Sequence, residues 1–188
     1  MIMLLVGLLL SLSYLSQAII NTNKQSQFFA LMKKSVTGPK YSLSDWDVSA
    51  GGNKSFCNFS GVTCDDQGYV VKLDISGFSL SGEFPADICS YLPKLRVLSL
   101  SSNKFKSNFP GSIVNCTFLE ELNTSHLSQS GNLPDFSPMK SLRILDLSYN
   151  FYYGNFPMSV TNLTNLEVLN FNETRASNYG NSRRIFPG

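Results

Sequence analysis

Four cysteines are the residues of this 188-residue chain whose type and number most directly suggest a chemical role. They are Cys57, Cys64, Cys89 and Cys116. Thiols pair as disulfides in oxidising compartments, whereas structural zinc sites need a second pair of ligands at a suitable spacing. No such second pair occurs, and His126 is the only histidine. The pattern favours disulfide bonds, and we expect no metal and no cofactor.

The remaining candidates for catalysis are few. His126 has no serine or aspartate that the sequence pairs with it, so we expect an ordinary surface or turn residue. Asp65 and Asp66 could form a carboxylate pair, but a polar turn is their expected role. No glycine-rich phosphate loop and no catalytic aspartate motif is present. The chain is therefore predicted to be a binding scaffold and not an enzyme.

The amino terminus predicts a signal peptide over residues 1–18. The run from Ile2 to Leu15 is almost entirely apolar, and Ser16-Gln17-Ala18 has the small residues of a cleavage site. The alternative is a signal anchor that stays in the membrane, but the run is shorter than the roughly 20 residues that a span needs. No second long apolar run follows. We expect a secreted, extracellular chain without a membrane span, or a plasma-membrane location if a longer form carries one.

Charge and glycosylation signals agree with secretion. The formal net charge is only +2, with scattered Lys and Arg apart from Arg183-Arg184, so nucleic acid is not an expected partner. Six N-x-S/T sequons predict N-glycans. They begin at Asn53, Asn58, Asn115, Asn123, Asn162 and Asn172.

A repeat with a period of 23 to 25 residues organises most of the chain. Each repeat has a strand pattern of alternating apolar residues that begins at Leu73, Leu98, Leu122, Leu145 or Leu169. Prolines recur in one phase at Pro85, Pro110, Pro134 and Pro157, and the preceding turn has Gly82, Ser107, Gly131 or Gly154. One such coil cannot bury its own apolar side, but stacked coils share a core. Asn103 and Asn150 stand where an inward amide can bond the turning backbone.

The spacing predicts a solenoid with a short parallel sheet on its concave face. Alternate strand residues point to solvent, and these are the candidate ligand-contacting residues. They are Lys72, Asp74, Ser76, Val97, Ser99, Ser101, Glu121, Asn123, Ser125, Ile144, Asp146, Ser148, Val168 and Asn170. Most are small and polar and suit hydrogen bonding to an extended peptide, although any one of them alone is better explained as a solvated strand residue.

The repeat resembles the plant-specific pattern of extracellular leucine-rich repeats, best seen in residues 142–157. The resemblance covers roughly residues 24–174 and points to the ectodomains of plant receptor-like kinases that bind secreted peptides. Residues 27–33 (QFFALMK) and 133–142 (LPDFSPMKSL) look most like the receptors for C-terminally encoded peptides. The resemblance implies an α/β solenoid of about four to five leucine-rich repeats over residues 70–174, with a helical, disulfide-containing N-terminal cap.

The cap is expected over residues 24–66. Residues 24–38 are predicted to form a helix with Phe28, Leu31, Met32 and Ser35 on its inner face, ended by Gly38-Pro39. Trp46 followed by C-x6-C is similar to the family's cap, which implies a Cys57–Cys64 disulfide. The aromatic residue that the family often has as tryptophan is Phe59 in this sequence.

The second cysteine pair lies in the returning arms of adjacent coils. Coils stack about 4.8 Å apart, which is compatible with the Cα separation of a disulfide, so a bond between Cys89 and Cys116 is plausible. Two buried free thiols are the alternative.

Residues 175–188 break the pattern and are expected to be an irregular tail without a strand. The chain thus looks shorter than its family, either as a real short form or as a gene model that runs into non-coding sequence.

The expected function is binding of a secreted peptide or protein ligand in peptide-hormone signalling, with a receptor kinase as a possible partner. The alternatives are a secreted inhibitor of a cell-wall-degrading enzyme, similar to polygalacturonase-inhibiting leucine-rich repeat proteins, and a non-functional gene fragment. An inhibitor would be expected to carry a complete set of repeats and a C-terminal cap.

Overall fold

The computed structural model describes residues 2–48, 55–105, 108, 110–172 and 183–185. The helices are α1 (Ile2–Ser35) and α2 (Ile88–Tyr91), with the 3₁₀ helices η1 (Ser55–Asn58), η2 (Gly111–Asn115) and η3 (Met158–Asn162). The strands are β1 (Val36–Thr37), β2 (Val62–Cys64), β3 (Val70–Asp74), β4 (Ser81–Gly82), β5 (Val97–Ser99), β6 (Lys104–Phe105), β7 (Glu121–Asn123), β8 (Ser130–Gly131), β9 (Ile144–Asp146), β10 (Phe151–Tyr152), β11 (Val168–Asn170) and β12 (Arg183–Ile185).

Five parallel strands, one from each coil, form the centre of a seven-stranded sheet. β3, β5, β7, β9 and β11 are neighbours in that order, and the leucines at their centres pair in one register from Leu73 to Leu169. All five central leucines are buried. A repeat of 23 to 25 residues returns the chain to the same register in every coil, which confirms the predicted leucine-rich repeat solenoid.

Each coil also has short strands on the far side of its first turn. β4 pairs in parallel with β6, and β8 with β10. Between these strands and the next leucine strand the chain returns through α2 in the first coil, η2 in the second and η3 in the fourth, whereas the third coil returns without a helix. Pro110 and Pro157 directly precede η2 and η3 in extended conformation, where proline lacks the N–H that a helix start leaves unpaired.

Inward asparagines join successive coils. The Asn103 amide donates to the carbonyl oxygens of Ile75 and Leu100, each at 2.8 Å, and its Oδ1 accepts from Leu80 N at 2.8 Å. Asn150 repeats the arrangement between the third and fourth coils. Both asparagines are buried, so each satisfies backbone groups that water does not reach.

Aromatic rings close the N-terminal end of the core. Phe29 of α1 packs against Trp46 and Phe59, with ring centroids 5.2 and 5.5 Å apart, and Trp46 stacks on Phe59 at 5.6 Å. All three are buried. Trp46 Nε1 donates to the carbonyl of Ser60 at 3.0 Å, so its polar atom is paired. Phe59 is thus one of the buried rings that fill the interior of the cap.

The predicted end and inner face of the cap helix were partly wrong. α1 ends at Ser35 and not at Gly38, because Val36 and Thr37 pair antiparallel with Gly82 and Ser81. On the helix, Leu31 is 37% exposed and Ser35 is half-buried, whereas Phe29, which the prediction omitted, is fully buried. The strand pairing turns the chain away before another helical turn can form. Packing on Trp46 selects Phe29 for the inner face.

The prediction of a strandless tail was also wrong. Arg183–Ile185 forms β12, which pairs antiparallel with the outer edge of β11. At the opposite end of the sheet, β2 pairs antiparallel with β3. Backbone pairing needs no side-chain alternation, so the repeat pattern could not reveal it. The rest of the predicted tail, residues 175–182 and 186–188, lies outside the described residues.

In the described part of the chain, no helix is sufficiently long and apolar to cross a membrane. α1 runs continuously from Ile2 and thus includes the predicted signal peptide. Cleavage after residue 18 stays a prediction.

Candidate functional site

The fourteen predicted contact residues lie together on one face of the central sheet. Two of them, Ser125 and Ser148, are buried, and the other twelve are half-buried. They alternate with the buried leucines because successive strand residues point to opposite faces. In-register pairing places equivalent side chains of neighbouring coils side by side. The result is a continuous surface, which we call the concave face.

Much of the polarity of the concave face is already satisfied within the chain. Asn123 Oδ1 accepts from the backbone N and the hydroxyl of Ser125, at 3.0 and 2.8 Å. Asp146 Oδ1 accepts the same two bonds from Ser148, at 3.0 and 2.6 Å. These turns hold the ends of the strands. The surface is therefore ordered before a ligand arrives, which lowers the entropic cost of binding.

Neighbouring coils are also linked across the concave face. The hydroxyls of Ser76 and Ser99 lie 2.6 Å apart, and Asn170 Nδ2 donates to Asp146 Oδ2 at 3.2 Å. Lys72 Nζ lies 3.4 Å from Asp74 Oδ2. Burial alone would raise the pKa of the Asp74 carboxyl, but hydrogen bonds from Ser76 and the Lys72 ammonium outweigh it, and the pKa is lowered. Asp74 is thus an anion at neutral pH.

A row of alternating charges, which the repeat pattern was not used to predict, lies along one margin of the concave face. Arg96 Nη1 lies 3.4 Å from Glu120 Oε1, and Arg143 donates to both carboxylate oxygens of Glu167 at 2.8 and 2.9 Å. The hydrogen bonds with Glu167 raise the pKa of Arg143, and those with Arg143 lower the pKa of Glu167. The signal was available, because each of these four residues lies two positions before the leucine at which the strand pattern of its repeat begins.

An aromatic pair was missed on the opposite margin. His126 and Tyr149 stack with ring centroids 4.1 Å apart and planes 12° apart. His126 is exposed and occupies a turn, as predicted, but the stack gives it a specific neighbour. Each is the third residue after the strand of its coil, β7 or β9, and the two coils are consecutive. The common phase of His126 and Tyr149 in the repeat was the available signal.

All four cysteines are in disulfides. Cys57 pairs with Cys64 inside the cap, with Cα atoms 5.5 Å apart, and Cys89 pairs with Cys116 between the first and second coils, with Cα atoms 5.3 Å apart. Because all four sulfur atoms are in disulfide bonds, no cysteine thiolate is available as a metal ligand. No metal-ligand cluster occurs among the residues that the structure describes.

The adjacent aspartates lie in a turn after β2. Asp65 Oδ1 accepts from the backbone N of Gln67 and of Tyr69, at 3.0 and 2.8 Å. Asp66 is exposed. The predicted role in a polar turn matches this geometry, and the bonded Asp65 carboxylate positions the chain for β3.

The sequons differ in their surroundings. Asn58, Asn115 and Asn162 are exposed, and the last two end η2 and η3 at equivalent positions in their coils. Asn123 and Asn172 are half-buried, and Asn123 lies on the concave face itself. Asn53 lies outside the described residues. Glycosylation at any of the six stays a prediction.

A disulfide-bearing cap followed by in-register coils of 23 to 25 residues defines a leucine-rich repeat protein of the plant extracellular type. Residues 22–65 match the leucine rich repeat N-terminal domain, and residues 94–116 match the Leucine Rich Repeat family. The chain belongs to the plant leucine-rich repeat proteins and is similar to the N-terminal part of receptor-kinase ectodomains.

Among characterised proteins, the chain is 52% identical over 128 residues to the receptor protein-tyrosine kinase CEPR1 of Arabidopsis thaliana. That match covers 67% of this chain and 13% of the receptor.

Two solved ectodomains share the fold. The PEPR1–AtPEP1 complex aligns with a TM-score of 0.74 and 30% identity over 81% of this chain and 21% of that one. The Arabidopsis receptor kinase HAESA, in complex with the peptide hormone IDA and the co-receptor SERK1, aligns with a TM-score of 0.63 and 27% identity, over 82% and 30%. An extracellular location, expected from the leader and the sequons, agrees with these ectodomains and with the two disulfides.

Proposed function

We propose that this chain is an extracellular binding module whose concave face contacts a secreted peptide. The observation that carries the proposal is the in-register array of polar side chains on five parallel strands, held in place by bonds within the chain. Among the structural relatives, PEPR1 was solved with AtPEP1 and HAESA with the peptide hormone IDA. The module acts by binding and not by catalysis.

A C-terminally encoded peptide is the expected ligand class, because of the resemblance of residues 27–33 and 133–142 to the receptors for such peptides. The chain spans only 13% of CEPR1, so it supplies the beginning of a longer contact surface. Affinity for the isolated chain is therefore expected to be modest. A receptor kinase that completes the surface is the expected second partner.

Two serines of neighbouring coils allow a matched test. Ser101 follows β5 on the concave face, whereas Ser90 lies on α2 in the returning arm and is exposed. Changing either to arginine adds the same bulk and charge, on the concave face in one case and on the returning arm in the other. Neither residue belongs to a sequon or to a disulfide.

The secreted chain is titrated by calorimetry with a synthetic C-terminally encoded peptide and with a scrambled peptide of the same composition. We expect saturable binding of the former, loss of binding in Ser101→Arg and unchanged binding in Ser90→Arg. Equal binding of both peptides, equal effects of the two substitutions, or no heat in any titration would contradict the proposal.

A further inference from the structure

The third position after the leucine strand has a left-handed backbone in four successive coils. It is occupied by Gly77, Ser102, His126 and Tyr149, with φ angles of 71°, 56°, 54° and 54°. The backbone N of each donates to a carbonyl of the next coil, at Ser101, Ser125, Ser148 and Asn172. The four residues are therefore stacked neighbours. We call them the turn column.

The turn column changes from small residues to rings along the solenoid. Bulky side chains pay a conformational cost at positive φ, whereas glycine does not. His126 and Tyr149 nevertheless occupy this conformation, and their rings stack on each other. Tyr149 is 51% exposed, so the pair is not needed to fill the core. Strained, exposed rings that the core does not require are a reason to look for a binding role.

The face of His126 that is turned away from Tyr149 lies toward Ser102. Tyr149 is the only ring that stacks on His126 among the described residues. Ser102 has only a hydroxymethyl group and is itself exposed, and Gly77 beyond it has no side chain. Coils repeat at about 4.8 Å, close to the spacing of two stacked rings. The geometry therefore leaves a step of one ring thickness beside His126.

We propose that this step is a subsite for an aromatic side chain of the bound peptide, which stacks on His126 above Ser102. The proposal rests on the proposed function and names one contact of the same face. The peptide backbone would run past Ser99 and Ser101 of the same coil. An aromatic residue would continue the His126–Tyr149 stack by one ring.

A peptide fits better than an oligosaccharide. Sugar rings also pack on aromatic faces, but their hydroxyls need several free amide and carboxylate groups nearby. Asn123 and Asp146, which lie on the strands that lead to His126 and Tyr149, have their Oδ1 atoms bonded to Ser125 and Ser148. An aromatic side chain needs no such partner, because it binds through its face.

The single histidine provides a direct assay, since its ring protons give one resolvable pair of signals in the whole protein. The secreted chain is titrated with N-acetyl-Gly-Tyr-Gly-amide, with the leucine analogue N-acetyl-Gly-Leu-Gly-amide, and with cellohexaose. We expect the tyrosine peptide alone to move both His126 signals upfield in a saturable way, because a stacked ring shields them. Equal shifts with the leucine peptide, a shift with cellohexaose alone, or no shift with the tyrosine peptide would overturn the proposal.

A filling variant tests the location. Ser102→Tyr places a ring in the step, as Tyr149 already does one coil beyond His126. We expect the His126 signals of this variant to lie upfield without any peptide and not to move during the titration. The matched variant Tyr149→Ser keeps the step, so its signals should still move. A wild-type response in Ser102→Tyr would mean that the peptide stacks elsewhere.

A second experiment measures the signals of the peptide, so the subsite is tested even if Ser102→Tyr does not fold. Saturation transfer to the tyrosine ring protons is measured with wild type and with His126→Ser, and affinity should fall about threefold to tenfold in the variant. Unchanged transfer would overturn the subsite. If a C-terminally encoded peptide still binds in calorimetry, the proposed function stands without it. If that peptide fails to bind while His126 responds to the tyrosine peptide, the subsite stands and the ligand class is wrong.

Discussion

Replacing Asn150 with leucine should remove the strongest link between the third and fourth coils. Its Oδ1 accepts from the backbone N of Leu127 and of Gln129, at 3.2 and 3.0 Å. Its Nδ2 donates to the carbonyls of Thr124, at 2.7 Å, and of Leu147, at 3.1 Å. Leucine fits a slot of this kind, because Leu127 occupies it one coil earlier and is buried. Loss of the hydrogen bonds is then the main effect.

The expected cost follows from the backbone groups left unpaired. Two buried N–H groups and two carbonyls at about 1 kcal/mol each are partly offset by about 1 kcal/mol from the added apolar burial. We expect Asn150→Leu to lower the free energy of unfolding by about 3 kcal/mol. Asn165→Leu is the matched control, since Asn165 is exposed and its Nδ2 makes one bond, to the Lys140 carbonyl at 2.8 Å. That change should cost below about 1 kcal/mol.

Urea unfolding measures both variants with two probes. Circular dichroism reports on the coils, and the single tryptophan, Trp46, reports on the cap by fluorescence. Because repeat proteins unfold by coupled neighbours, coincident transitions are needed before one free energy is assigned. A loss below about 1 kcal/mol, or one equal to that of Asn165→Leu, would show that the asparagine does not link the coils.

Three further predictions concern the cap and the sheet. Replacing Cys57 and Cys64 with serine should destabilise the cap by about 2–3 kcal/mol and reduce secretion of folded chain, and mass mapping that finds both thiols free in secreted wild type would contradict this. Gly61→Ala should lower the free energy of unfolding by about 2–3 kcal/mol, because a Cβ there would lie 2.3 Å from the Asp74 carbonyl at a φ of +83°. The control Gly77→Ala, at a φ of +71° with open space around it, should cost about 1 kcal/mol in the same urea unfolding measurement. Arg143→Gln should lower the free energy of unfolding slightly, and high salt should remove this effect. Since the pKa of Glu167 is lowered in the folded chain, the difference in stability from wild type should be present above pH 4.5 and vanish as the pH falls through that lowered value. A difference that persists in acid would contradict the ion pair.

The cap shows how local pattern and packing compete. Gly38-Pro39 is a sound helix stop by local rules, yet α1 ends earlier because Val36 and Thr37 pair with Ser81 and Gly82, about 45 residues away. Leu31 satisfies the helical period, but the ring of Trp46 takes Phe29 as its neighbour. The periodicity of a helix depends on that helix alone and does not indicate which distant ring packs against it.

The concave face shows the same division. Strand alternation predicted all fourteen positions that line it, because the side-chain direction in a strand is a local property. Sequence alone did not reveal that Ser125 and Ser148 are bonded to their neighbours, or that Arg143 and Glu167 meet across coils. Those contacts depend on the stacking register, which aligns residues 23 to 25 positions apart.

The repeat by itself determined the solenoid, its core leucines and the exposed face, because a fixed period in the chain becomes a fixed period in space when coils stack. Only the tertiary structure decided what happens where that period ends. At the cap, β1 pairs antiparallel with β4 and β2 pairs antiparallel with β3, both in the first coil. At the other end, β12 pairs antiparallel with β11. Antiparallel edge pairing uses backbone hydrogen bonds that almost any residue can make, so it leaves no pattern in the sequence.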